Sequence, residues 1–147
     1  MATFVKIVEN NKDQILGELD EAIDRALEAM GLQAEAFVKA ACTAVDTGLL
    51  RNSITYALHG QGAATASYKA DNPKKGQPSS GSYSGVAPNE PHTVFIGTNV
   101  EYAPYVEYGH RLPGGGHVAG VHFLEHGITG HMNVYKTLAE NALKGFK

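Results

Sequence analysis

Apolar residues recur at helical spacing from residue 10 to 45. Ile15, Leu19, Ile23, Leu27 and Met30 form a stripe that Ala34, Phe37, Ala41 and Val45 continue. The Asn10–Asn11 pair and Asp13 suit a helix start, where side-chain oxygens and negative charge satisfy free backbone amides. Glu21 with Arg25, and Glu35 with Lys39, place opposite charges one turn apart on the polar side. Gly31 interrupts the stripe at a cost of roughly 1 kcal/mol relative to alanine, so a bend or a break is expected there. Asp46-Thr47-Gly48 then ends the pattern with turn-forming residues.

Beyond that turn the period changes to two. Ile54, Tyr56 and Leu58 share one side and Ser53, Thr55 and Ala57 the other, so strands are expected over residues 50–70, the second and weaker from Ala63 to Tyr68. Residues 71–91 carry four prolines with many glycines and serines. Such a stretch buries little apolar area and reads as a mobile loop or long hairpin tip. Thr93 to Thr98 is apolar on both faces and predicts a central strand within 92–99. Pro104 suits a first helical turn, so 101–108 reads as a short helix closed by Gly109. A glycine-rich loop, Pro113 to Gly120, leads to an amphipathic helix over 123–143 with the stripe Leu124, Ile128, Met132, Tyr135, Leu138 and Ala142. The expected fold class is α+β in one domain, 1–147, with a long N-terminal and a C-terminal helix packed on a small antiparallel β-sheet.

Composition narrows the function. A chain of 147 residues can bury a core without disulfides. Net charge −3 argues against a surface that neutralises many phosphates. A lone cysteine, Cys42, points to a reducing compartment and reads as a small buried hydrophobe. No apolar run is long enough to span a bilayer, and the N-terminus turns polar too early for a secretory signal.

The enzymatic motif to weigh is His122-Phe-Leu-Glu125-His126, which matches H-x-x-E-H. On a helix, two histidines one turn apart could hold zinc while the glutamate activates water. A small zinc hydrolase is therefore the alternative reading. It needs a third ligand that the same helix places poorly, and surface histidines are the default in a chain with seven. Pro113-Gly-Gly-Gly-His117 lacks the lysine and hydroxyl of a phosphate loop, and no serine sits on a nucleophile elbow. No catalytic residue, cofactor or metal site is assigned.

Residues 97–109, GTNVEYAPYVEYG, concentrate Tyr102, Tyr105 and Tyr108 every third position. Either this face packs over the sheet, or it supplies rigid aromatic area with hydroxyls that tolerate a wet rim, as at subunit interfaces. Three blocks carry a family resemblance: DTGLLRNSI at 46–54, VFIGTNVEYAPYVEYGH at 94–110 and HFLEHGI at 122–128. Together they resemble the minor tail-component family of long-tailed bacteriophages, whose members join heads to tails. The third block departs from the family pattern at Val121-His122 and Gly127.

The resemblance implies a noncatalytic virion subunit that forms a homo-oligomeric ring at the neck, between the connector and the tail tube or tail terminator. DNA would pass through the lumen without sequence-specific binding, and assembly would take place in the host cytoplasm. Carried over position by position, Asp46, Gly48, Leu50 and Arg51 would shape the turn leaving the long helix. Tyr102, Ala103, Tyr105, Glu107, Tyr108 and Gly109 would build the aromatic turn, with Tyr105 and Glu107 nearest a partner.

Overall fold

The structure is a computed structural model that describes residues 11–84 and 86–145. Its backbone is α1 (Lys12–Ala41), a helix about 45 Å long at the usual rise. Asn10, half of the expected start signal, lies outside the described residues; Asn11 stands at the N-cap, and Asp13 is in the first turn. The face that α1 buries is Ala22, Ala26, Gly31, Ala34 and Val38; Ala34 belongs to the expected stripe, and the other four lie one step around from it. Ile15 and Leu16 are exposed. Small residues win the contact because the neighbouring elements approach the helix backbone closely. A Cβ on Gly31 would stand 2.8 Å from the Tyr56 ring and 3.0 Å from Val94. Gly31 therefore does not break the helix; it admits the sheet. α1 ends at Ala41, so Val45, the last member of the expected stripe, is outside the helix and exposed.

Gly48 has φ 81°, a left-handed conformation suited to glycine, and it opens α2 (Leu49–Ser53). The alternation had placed part of this stretch in a strand. Leu49, Leu50, Ser53 and Ile54 are all buried, and that spacing requires a helical turn. β1 (Thr55–Leu58) follows, then β2 (Ser67–Lys69) and β3 (Ser80–Ser82), which pair antiparallel around a tip. Part of the stretch expected as a loop is thus a strand, and Lys74 in the tip pairs with Asp46.

β4 (Val94–Gly97) pairs antiparallel with β1, Thr55 opposite Gly97 and Leu58 opposite Val94. It was expected in the centre of a sheet, yet β1 is its one ladder partner among the described residues and Phe95 is 50% exposed. β5 (Gly109–Arg111) and β6 (His117–Ala119) form a third antiparallel pair across the glycine-rich loop. Among the described residues, the α+β architecture therefore has three two-stranded antiparallel sheets, where one had been expected.

The C-terminal helix is two helices. α4 (Phe123–Thr129) and α5 (Met132–Leu143) are separated at Gly130–His131 and both pack on α1. His131 at the break stacks on Phe37, with ring centroids 3.6 Å apart. Gly127 lies so close to α1 that a Cβ would stand 2.6 Å from the Val38 Cα. Val38, Leu50, Ile54, Val100, Ala103 and Phe123 belong to the central core cluster, with Phe123, Ile54 and Val38 fully enclosed. Among the described residues, no helix is long and apolar enough to cross a membrane.

Cys42 lies in the same core cluster just past α1, and burial pushes its thiol pKa up. We expect an aromatic disulfide reagent at pH 8 to modify native Cys42 on the order of a hundredfold more slowly than the unfolded chain, since the thiolate is the reactive form. Equal rates in buffer and in denaturant would show that the thiol is accessible.

Candidate functional site: the aromatic turn and its support

The chain between β4 and the turn is held by short side-chain bonds. The Ser53 and Thr98 hydroxyls lie 2.5 Å apart, and Thr98 Oγ1 accepts from the Val100 amide at 3.1 Å. Asn99 accepts from the Tyr68 hydroxyl and donates to the Ser82 carbonyl, both at 2.8 Å. This ties β4 to the β2–β3 hairpin before α3 (Ala103–Tyr108) begins. Pro104 sits in the first turn of α3, as its locked φ and missing amide hydrogen allow.

Ala103 and Glu107 face inward on α3, while Tyr105 and Tyr108 face outward at 60% and 72% exposure. Packing of these two tyrosines over the sheet is therefore not what the turn does. Tyr105 contacts His110 edge-on, and Tyr108 contacts His122 in the same way.

Glu107 departs from the expectation of a group near the partner. It is only 4% exposed. Its Oε2 accepts the Leu124 amide at 2.9 Å and its Oε1 the Glu125 amide at 3.1 Å. Two free amides at the start of α4 thus find a negatively charged acceptor from another element. The backbone reinforces the join: the Val106 and Glu107 carbonyls accept the Val121 and His122 amides at 2.8 and 3.0 Å. Glu107 is a tertiary cap, and its role belongs to the subunit's own fold.

Gly109 closes α3 with φ 81° and ψ 175°, a region that side chains avoid. A Cβ there would meet the Val118 carbonyl oxygen at 2.3 Å, so only glycine lets the turn run directly into β5.

The first block lies on a separate cleft of about 290 Å³, lined by residues 44–51 together with Gln77, Pro78 and Tyr102. Asp46 pairs with Lys74, and that hydrogen bond holds its carboxyl below the usual range. Asp71 accepts from Asn52 at 2.9 Å and from Arg51 at 3.1 Å, and these bonds likewise lower its pKa. Gly48 has no room for a side chain, because a Cβ would stand 2.4 Å from Asp71 Oδ2. Leu50 is buried in the core. Burial raises the Tyr102 pKa against a hydrogen bond to the Leu50 backbone. The structure thus gathers Asp46, Gly48, Leu50, Arg51 and Tyr102 on one side. Ala103, Tyr105, Glu107, Tyr108 and Gly109 gather with residues 121–125 on the other.

The H-x-x-E-H geometry does not form as the motif requires. His122 is the N-cap of α4 in the left-handed region, φ 53°, outside the helix proper, and its ring lies beside that of His126 with centroids 5.7 Å apart. Glu107, His122 and Glu125 instead bring one possible ligand atom each within 4.8 Å of one another. His122 Nδ1 lies 3.3 Å from Glu125 Oε2, and both Glu107 oxygens are engaged by backbone amides. Sequence reasoning missed the Glu107 cap because nothing local marks an acceptor that serves a helix so far along the chain.

A family model described as "Bacteriophage HK97-gp10, putative tail-component" matches residues 7–109, from before α1 through the end of the aromatic turn. No curated protein and no solved structure matches the chain.

Proposed function

The chain belongs to the HK97-gp10-like family of bacteriophage tail components, and from that premise we propose that it is a neck subunit, assembling into a ring between connector and tail tube. A phage tail component is a structural protein that works by contact with other virion proteins. The observation that carries the finer reading is the aromatic turn. Tyr105 and Tyr108 are held outward on a short helix whose inner face is pinned by Glu107 and whose end is set by Gly109.

Rigid tyrosines lose little side-chain entropy on contact and keep their hydroxyls at a polar rim, so they suit a subunit interface. In the ring the turn meets a neighbouring subunit or the connector. Duplex DNA passes through the lumen without sequence-specific contacts, consistent with a net charge of −3. Assembly takes place in the host cytoplasm and the product resides in the virion. The role is not catalytic.

Tyr105→Ala combined with Tyr108→Ala tests this. Because both side chains are exposed, the melting temperature is expected to stay within about 2 °C of the parent. Ring or connector-bound species, followed by light scattering and electron microscopy of the chain coexpressed with connector and tail proteins, are expected to disappear. Assembly that proceeds undiminished with both tyrosines removed would exclude the turn as the contact. A parent chain that ignores connector and tail proteins alike would remove the neck reading itself.

A further inference from the structure

The histidine motif at 122–126 has no third ligand on its own helix, but the fold brings one from α3. Glu107, His122 and Glu125 each hold a ligand atom within 4.8 Å of the other two. No other trio of His, Cys, Asp or Glu gathers so closely among the described residues.

Two further observations concern His122. Its Nδ1 is sealed from solvent and makes no hydrogen bond, although Glu125 Oε2 lies 3.3 Å away. An enclosed ring nitrogen without a partner is costly, and in a native protein something normally engages it. His122 also has φ 53°, uncommon outside glycine, and with that backbone its ring stands against Tyr108 on α3. Backbone outliers of this kind concentrate where a side chain must be held in one place.

The spacing suits a tetrahedral ion. At zinc–ligand distances of about 2.0–2.2 Å, two ligand atoms stand about 3.4 Å apart. His122 Nδ1 and Glu125 Oε2 already do, and the Glu125 side chain, 62% exposed, has room to adjust. Each Glu107 oxygen spends one lone pair on a backbone amide and keeps another for an ion. Two imidazoles on one tetrahedral zinc have ring centres roughly 5 Å apart. The His126 ring is 5.7 Å from that of His122, and its exposed side chain completes the set by rotating towards the ion.

Charge permits the ion as well. The start of α4 carries about half a positive charge, which opposes a cation, but two ionised carboxylates outweigh it about fourfold.

We propose that Glu107, His122, Glu125 and His126 form a structural Zn2+ site that clamps the aromatic turn to α4. Two imidazoles among the donors favour zinc over Mg2+ and Ca2+, which take oxygen ligands. Glu125 is a ligand here and is not available as a base, so the site fastens two helices and activates no water. It goes beyond the neck reading and does not depend on it.

The test uses the full chain without a histidine tag, stripped with a chelator and titrated with ZnCl2 against a chromophoric competitor. About one ion per chain is expected to bind, with millimolar Mg2+ or Ca2+ failing to displace it. Zinc at about a hundred times its Kd should raise the melting temperature by roughly 5–10 °C. Glu125→Gln alters an exposed side chain, and His122→Asn keeps a residue that tolerates positive φ; each should weaken zinc binding at least about tenfold. His117→Ala, an exposed histidine on β6, should leave it unchanged. Absence of saturable zinc binding by the parent overturns the proposal. So does equal affinity in Glu125→Gln and His122→Asn, which would put the ion on other surface histidines.

Discussion

Phe123→Ala is expected to lower stability by about 3–5 kcal/mol, the range for truncating a fully buried aromatic. Phe123 is completely enclosed in the core cluster, among residues that come from α1, α2 and the approach to α3. The loss has two parts: apolar area returned to water, and a cavity that its neighbours fill only partly. Collapse is restricted here because Gly127, one turn along α4, already touches the α1 backbone at Val38. The helix cannot move inward to close the gap. For a chain of this size the melting temperature should fall by roughly 6–20 °C, and urea unfolding should show a lower midpoint at similar slope. Phe123→Leu, which leaves a smaller void, should lose distinctly less. A cost below about 1 kcal/mol for the alanine variant would mean that Phe123 does not anchor α4.

Glu107→Ala should cost about 2–4 kcal/mol, more than loss of an ordinary helix cap. An ordinary cap is one neutral acceptor at an exposed helix end. Glu107 is a charged acceptor for two amides, at 2.9 and 3.1 Å, in a place that water reaches poorly. Its removal leaves both donors without that partner. Glu107→Gln keeps one amide oxygen but turns an NH2 group towards the other donor, so it should fall between parent and alanine. Because the carboxylate also fixes α3 relative to α4, the alanine variant should increase hydrogen exchange at the Leu124 and Glu125 amides before global unfolding. Unchanged protection at these two amides would refute the cap. This also separates Glu107 from Tyr105 and Tyr108, whose replacement is expected to affect assembly and leave stability alone.

Much of this architecture was legible in the chain. The 3.6-residue period predicted α1, Pro104 and Gly109 bracketed α3, and the alternation around Tyr56 announced β1. The first two sequence blocks carried the family and fall in the match over residues 7–109 but for His110, whereas the third, at 122–128, lies beyond it. The misplacements share a cause. Periodicity reports that a side chain is apolar, and is silent about how closely two backbones approach. Hence the large stripe on α1 drew attention from Ala22, Ala26 and Gly31, which make the contact. Likewise the two-sided apolar run Val94–Ile96 suggested a central strand, although β1 is its one ladder partner among the described residues and two hollows border it.

Local chemistry was sufficient for elements whose instructions lie within a few residues. A proline permits a first turn and a glycine permits positive φ wherever they occur. The joining of α3 to α4 is of another kind. Glu107 reads as a surface acid on its own helix, and becomes a buried cap only because the Val106 and Glu107 carbonyls bind Val121 and His122 and bring the start of α4 beneath it. The outward display of Tyr105 and Tyr108 follows from that same join, since a short helix pinned on one face must present the other to its surroundings.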